Sequence, residues 1–369
     1  MKKYLLISMP VGKTKNIGDY IQILAARQFY DKVDGYIEKE ELSNFKSDDG
    51  NKVKIIMNGW FLWKTENWPP SNDIEPLIIS IHFSPLVIKD ILSKKYYLEN
   101  HTPIGCRDLG TLESLRKEGI DSYFSSCLTL TLGKTYSYNG HREGIYFVDP
   151  FFYIPSKTDL SIKKIGNLLF CFLMKLSLII SLARREFFKH YGSSWGYESY
   201  NSSVKGFIKS LFKATCFYMV YRTKFADEVI KSANYVLHIV PVDPEKPYTH
   251  EDWLNMADAY LKKYMKAEFV VTSRIHAALP CLAIETPVVF MNSESLNSKN
   301  VSFNTPGRFD GLLDLFRTMM VKESEIITDD KELESLCKIG THTTFNNKND
   351  WKQYANDLFV KCSNFIKNN

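Results

Sequence analysis

The chain has 369 residues, 44% hydrophobic and 24% charged, a globular balance that excludes a disordered or fibrous protein and accommodates about two domains. Its net charge of +5 is too small to argue for a nucleic-acid ligand. That charge is unevenly spread: residues 157–232 carry thirteen basic against five acidic side chains, net +8, leaving −3 for the remainder.

Met1 to Met9 (MKKYLLISM) imitates a signal peptide, but its apolar run is short and meets Pro10, Gly12, Lys13 and Lys15. A first strand at Tyr4–Met9, then a loop to Asp19, is the better reading. Tyr20–Tyr30 has helical spacing at Ile21, Leu24, Ala25 and Phe29, while Val53–Met57 and Leu77–Phe83 read as buried parallel strands. A helix at Pro85–Tyr97, a strand at Ile104–Arg107 and a helix from Thr111 to Glu118, ended by Gly119, follow. Strands return at Tyr123–Leu132 and Ile145–Val148.

The alternation restarts after residue 232. Strands are expected at Tyr235–Val242, Glu268–Thr272 and Val288–Met291. Helices are expected at Glu251–Met265, from Arg274, at Phe309–Met319 and at Asp350–Ile366, the last packing back across the first unit. The expectation is an α/β fold: two Rossmann-like domains facing a cleft, with a helical insertion between them. Its parts are an N-terminal unit at 1–156, the insertion at 157–232, a second α/β unit at 233–330 and a helical extension at 331–369.

The most informative stretch is EFVVTSRIHAALPCLAIETPVVFM, residues 268–291. A buried strand feeds a helix whose cap is Thr272 or Ser273 and whose first turn carries Arg274 and His276. A helix N-terminus favours anions, and a guanidinium and an imidazole there make a site for phosphate or carboxylate. Against this, Arg274 could pair with a structural carboxylate and His276 could simply be packed. Pro280 cannot donate to the carbonyl of His276, so a bend is expected. The second constellation is Asn16-Ile17-Gly18-Asp19 after the first strand, where α/β proteins place ligands. Asp19 there is a base, a ligand for sugar hydroxyls, or a helix cap.

Asn58 follows the strand at 53–57, His82 ends the strand at 77–83, and Arg107 with Asp108 ends the strand at 104–107. Singly, each has a structural reading: a satisfied core histidine, a helix cap at Asp108, an Arg107–Asp108 pair. Together they are polar strand ends from one sheet. No metal-spaced His/Cys cluster, HExxH or nucleophile elbow occurs, so no metal is expected. Seven cysteines, odd in number, without CxxC and all but Cys337 among mostly apolar neighbours, suit buried reduced thiols in a cytoplasmic protein.

Ile165–Ala183 holds one charge, Lys175, in nineteen residues, long enough as one helix to approach a bilayer core in span. Lys175 at its centre counts against spanning. In Val204–Tyr221, Lys205, Lys209 and Lys213 repeat every four residues, with Phe207, Ile208, Leu211, Phe212 and Met219 opposite, as in a helix lying on an anionic membrane. The competing reading packs both helices on each other or in a dimer interface. Membrane contact over 160–222 and a peripheral position on the inner face of the cytoplasmic membrane are the expectation.

NIGDYIQILAA, CRDLGTLESLRKEGIDSYFSSCLTLTL and VVTSRIHAALPCLAIETPVVF, in this order, resemble the polysaccharide pyruvyl transferases. The resemblance covers most of 1–132 and 233–317, with IMNGW and NWPPS at 56–71; 157–232 has no counterpart in it. It implies a GT-B-like fold and transfer from phosphoenolpyruvate, a co-substrate with no further cofactor, onto two hydroxyls of a sugar in a surface polysaccharide (capsule or exopolysaccharide) or its lipid-linked precursor. The products would be a pyruvate ketal and phosphate. Arg274 and His276 match its donor-binding motif, and the Asn16–Asp19 turn and Arg107 match cleft positions of its first domain. The site expected is thus His276 and Asp19 as acid and base, with Arg274, Ser273, Asn16, Gly18, Arg107, Asn58 and His82 binding substrate. The alternatives are a glycosyltransferase using a nucleotide sugar and a non-catalytic, membrane-associated sugar-binding protein. Oligomeric state is open.

Overall fold

A computed structural model describes residues 3–10, 14–62, 64–192, 197–240, 243, 245–293, 308–322 and 324–367. Among them, twelve strands form two six-stranded sheets. The first contains β1 (Lys3–Ser8), β2 (Gly35–Glu38), β3 (Val53–Phe61), β4 (Ile74–Phe83), β5 (Ile104–Cys106) and β6 (Ser122–Phe124). Its order is β2-β1-β3-β4-β5-β6, all pairs parallel. The second contains β7 (Ile145–Val148), β8 (Asn234–Val236), β9 (Phe269–Thr272), β10 (Val288–Ser293), β11 (Arg317–Lys322) and β12 (Glu325–Ile327). Its order is β8-β7-β9-β10-β11-β12, parallel except for the β11–β12 pair.

Both sheets therefore wind alike: the second strand lies outside the first, and the third begins the other half. In a doubly wound sheet, loops diverge where the order reverses and leave a crevice at the carboxyl ends. The reversals fall at β1/β3 and β7/β9. The central strands are apolar on both faces, as helix-covered parallel strands must be: Ile55, Ile56, Met57, Ile78, Ile79 and Ile81 are all buried.

Helices α1 (Ile17–Arg27), α2 (Ile88–Ser93), α3 (Tyr96–Glu99) and α4 (Leu109–Lys117) accompany the first sheet. Between β7 and β8 come α5 (Ile162–Met174), α6 (Leu176–Ala183), α7 (Glu186–His190), α8 (Val204–Tyr221) and α9 (Asp227–Ser232). Then follow α10 (His250–Lys266), α11 (Ile275–Ala283), α12 (Lys331–Ser335) and α13 (Trp351–Lys367). One core joins the sheets: Ile17, Tyr20 and Ile21 of α1 share it with Trp253, Leu254 and Leu261 of α10 and with Ala277 and Leu282 of α11. Tyr20 stacks on Trp253 at 5.3 Å. The terminal helix α13 does pack back, adding Trp351, Leu358 and Cys362 to the same core.

Several expectations need correction. Strand Ile145–Val148, assigned to the first unit, pairs with β8 and β9, so the change of sheet precedes residue 145 instead of following 156. Phe309–Met319 is not a helix. After a 3-10 turn at Leu313–Leu315 the chain extends and pairs with β10 from Val289↔Arg317 to Ser293↔Val321. An open sheet edge with five partners outweighs a local helical pattern. Tyr123–Leu132 becomes a three-residue strand followed by a 3-10 helix at Leu128–Lys134. In Tyr235–Val242 the strand ends at Val236, and residues 241–242 lie outside the described residues.

The apolar insertion is not one long helix. α5 and α6 meet at Lys175 with a bend of 95°, and the Lys175 ammonium bonds Asp227 at 2.7 Å. The basic face of α8 is also divided. Lys213 is 2% exposed and shares the Glu198 carboxylate with Lys209 at 2.8 and 2.7 Å. The second half of α8 buries Cys216, Phe217, Tyr218, Val220 and Tyr221 in the core of the second sheet beside Phe147. α8 therefore does not lie wholly on a surface. Its apolar side packs on α5, α6 and α7, with Phe217 and Tyr221 against Phe147 of β7.

Candidate active site

The segment between β1 and α1 is held by its own side chains and by the second sheet's loops. Asn16 caps α1, its carboxamide oxygen accepting from Gly18 N–H at 3.1 Å. The Ile17 amide donates to the His238 carbonyl at 2.9 Å, and Val240 N–H donates to the Lys15 carbonyl at 2.8 Å. These bonds tie the first sheet's switch point to the chain after β8. Asn16 thus positions the turn, and Asp19 is not the cap. Asp19 sits half-buried one residue past Gly18, accepting from Thr14 Oγ1 at 2.7 Å. Lys13 lies outside the described residues.

Gly18 allows a close crossing. A Cβ there would stand 3.0 Å from the His276 Cβ and 3.2 Å from Asn16 Oδ1. His276 is in the first turn of α11, so the Asn16–Asp19 turn and the Arg274–His276 turn meet although 256 residues separate Gly18 from Arg274.

On the second sheet, Arg274 itself caps α11, displacing Thr272 and Ser273 from that role. Thr272 Oγ1 donates to the Val148 carbonyl and accepts from Arg274 N–H. Ser273 Oγ donates to the Met291 carbonyl at 2.6 Å and accepts from Phe151 N–H at 2.8 Å, so its hydroxyl serves the fold instead of a substrate. The Arg274 guanidinium lies across the β7/β9 switch. Its Nε and one Nη each reach Asp149 Oδ2 at 2.8 Å. Asp149 follows β7 directly, has a left-handed φ of 41°, and also accepts from His238 N–H at 2.9 Å.

The first sheet contributes its next two strand ends. His82, 2% exposed near the end of β4, donates from Nδ1 to Asp108 Oδ2 at 2.7 Å. Asp108 Oδ1 accepts from Thr111 N–H and so caps α4. With its proton on Nδ1, His82 presents a lone pair on Nε2. Burial drives its pKa down to about 4, against the opposing pull of Asp108. Arg107 is 1% exposed, its Nε 3.7 Å from Asp108, outside hydrogen-bonding range. Among the described residues Arg107 Nε and one Nη, His82 Nε2 and His276 Nε2 are buried without a hydrogen-bond partner. Desolvating a guanidinium in this way is costly unless an anion arrives to compensate it.

These groups act on one another. Burial first, then the charges of Arg107, Arg308, His238 and Arg274, hold the His276 pKa well below the usual histidine value. Burial and the neighbouring Arg107 likewise push Arg308 down to about 10. Three guanidiniums act on one neutral imidazole; Asp149 already holds Arg274 and Asp108 lies near Arg107, but Arg107 keeps two nitrogens without a hydrogen-bond partner to offer an anion. Asn58 lines an adjoining small crevice of about 30 Å³ with Ser8, Asp19, Gln22, Lys39 and Trp60. Its amide donates to the Gln22 carbonyl at 3.2 Å. The buried Lys39 Nζ donates to the Trp60 carbonyl at 2.9 Å, and desolvation lowers its pKa to about 8. Among the described residues no three His, Cys, Asp or Glu side chains are placed to hold a metal ion.

Sequence reasoning did not find Lys39, Asp149, His238 or Arg308. Asp149 directly follows the strand read at 145–148, so the strand-end rule that selected Arg107 would have selected it; Lys39 follows β2, a strand the sequence reading did not find. Arg308 belongs to no local pattern.

The chain was compared with known proteins. The family model for polysaccharide pyruvyl transferase matches residues 16–295, more than two thirds of the chain, and the protein belongs to that family. No curated protein and no solved structure matches it.

Proposed function

We propose that this member of the polysaccharide pyruvyl transferase family takes phosphoenolpyruvate as donor and builds a cyclic pyruvate ketal on two hydroxyls of a sugar. The acceptor would belong to a surface polysaccharide or its lipid-linked precursor. The observation that carries this reading is the buried Arg107 guanidinium, unpartnered at two nitrogens and set beside His276, Arg274 and Arg308. A donor bearing both phosphate and carboxylate supplies the two negative groups such a site lacks. We also read the two sheets as units facing a cleft in the GT-B manner, with the donor on the α11 side and the acceptor toward Asp19, Asn58 and Trp60.

In this mechanism the donor methylene takes a proton and C2 becomes an oxocarbenium-like electrophile. One sugar hydroxyl adds to C2, the C2–O bond to phosphate breaks, and the second hydroxyl closes the ketal. Of the two hydroxyl protons, one balances the new methyl group and the other leaves with phosphate. His276 is the acid beside the departing phosphate. It is neutral in the empty site and gains its proton once the donor's charge offsets the arginines. Asp19 is the base for the acceptor hydroxyl. His82 is a second base, favoured by the Asp108 bond that leaves its buried Nε2 lone pair without a partner.

The experiment is incubation with phosphoenolpyruvate and a panel of lipid-linked saccharides, with mass spectrometry reading ketal formation and a phosphate assay in parallel. A nucleotide-sugar panel in the same experiment tests the glycosyltransferase alternative. Sugar transfer without phosphoenolpyruvate consumption would overturn the proposal.

A further inference from the structure

α5 is apolar on nearly every side, yet it buries only Leu168 and Cys171. Ile162, Ile165, Leu169 and Leu173, at helical spacing, form a stripe pointing away from those two residues. Ile162 is 91% exposed, and Ile165, Leu169, Phe170, Leu173 and Met174 are each half exposed or more. Leu176 continues the face past the bend. Val204 and Ile208 add to it on α8, the helix against which α5 packs. A surface helix of a soluble protein normally turns polar residues to water, and a contiguous apolar face of this size marks an interaction site.

The charges flanking this face are mostly basic, with Asp159 and Glu198 the acids beside them. Lys163 and Lys164 occupy the first turn of α5 and Lys205 the first turn of α8, with no acid in either first turn. All three are exposed. Cations in a first turn oppose the helix dipole, a local cost that an external anion would offset. Lys209, also exposed, shares Glu198 with Lys213, and Asp159, before α5, is occupied by Tyr153 and Ser156.

We infer that the exposed face of α5, with the N-terminal turns of α8, docks on an anionic lipid bilayer, its apolar stripe entering the interfacial layer and its lysines meeting the phosphates. The 95° bend and the burial of Ile179, Leu182 and Ala183 in α6 favour lying on the bilayer over crossing it, although the bent pair has the length and composition to span. No single helix among the described residues is long and apolar enough to cross a membrane. A second copy is the poorer occupant, because a two-fold contact through this face would crowd the lysines of both copies into one interface. The inference is independent of the chemistry proposed for the site. Should the acceptor prove lipid-linked, it places the enzyme at its substrate.

The test is flotation of the full chain with phosphatidylcholine vesicles, with and without phosphatidylglycerol. Binding is expected only with the anionic lipid and should weaken with salt. Lys163→Gln with Lys164→Gln should lower partitioning roughly tenfold or more, and Ile165→Asp with Leu169→Asp should abolish it. Because all four side chains are exposed, thermal midpoints should stay unchanged. Equal flotation of wild type and variants would overturn the inference. So would a wild-type dimer that does not float and that Ile165→Asp with Leu169→Asp converts to monomer in mass photometry.

Discussion

Gly18 and His276 touch across the two sheets: a Cβ on Gly18 would lie 3.0 Å from the His276 Cβ and 3.3 Å from its Nδ1. Gly18 has an ordinary helical backbone, so the glycine is needed for the approach and not for its conformation. Gly18→Ala should leave stability nearly unchanged, because the gain in helix propensity of up to about 1 kcal/mol offsets the contact. Gly18→Val should displace the imidazole and lower phosphate release about tenfold or more. Steady-state kinetics beside thermal melts separate the two effects. Wild-type turnover in the valine variant would mean that His276 does not need its present position.

Arg107, buried, and Arg274, part-buried, should respond oppositely to removal. Arg107 lacks a hydrogen-bonded partner at two nitrogens, so Arg107→Met should leave stability unchanged or raised. Donor-dependent phosphate release should meanwhile fall about a hundred- to a thousandfold. Arg274→Met strands the Asp149 carboxylate and should cost about 3–5 kcal/mol in denaturant unfolding. Equal destabilisation by both changes would indicate that Arg107 is structural.

His276 is neutral in the empty site because burial and three neighbouring arginines depress its pKa. An anionic donor offsets those charges and raises the pKa, so binding should take up about one proton. Donor affinity should therefore fall as pH rises through the pKa of the complex. Calorimetry in buffers of different ionisation enthalpy reads the uptake, and His276→Asn should remove it. Proton release on binding would contradict the assignment of His276 as the acid.

Acid should weaken the fold through the same buried imidazoles. His82 is held near 4, and His238 and His276 well below their ordinary value. Below about pH 6.5 the unfolded chain binds protons that the native protein excludes, so stability falls as pH drops from there. For His82 the loss continues to about pH 4, at ~1.4 kcal/mol per pH unit. Urea midpoints measured from pH 7.5 to 4.5 test this, and His82→Asn should flatten the slope.

Much of the site was legible because α/β proteins place ligands at strand carboxyl ends, and those ends are marked by apolar runs that stop at polar residues. His82, Arg107 and Arg274 follow from that rule; Asn58 does not end its strand, because β3 continues past an irregularity at Met57–Gly59 to Phe61. It could not distinguish a side chain that faces substrate from one that the fold consumes. Ser273 and Asn16 look like ligands in sequence and are taken up by backbone partners. Arg274, the strongest anion-binding candidate, already carries a carboxylate partner in Asp149, 125 residues earlier.

The sequence by itself determined the α/β class, the family and the two turns that meet at the candidate site, since periodicity and strand-end chemistry are local properties. It also revealed that the small net charge conceals a basic, apolar insertion. The tertiary structure decided the rest: that β7 joins the second sheet, that Lys213 turns inward to Glu198, and that α5 keeps an apolar face outside. Those outcomes depend on which surfaces meet across long separations in the chain, and hydrophobic burial and ion pairing there override what neighbouring residues specify.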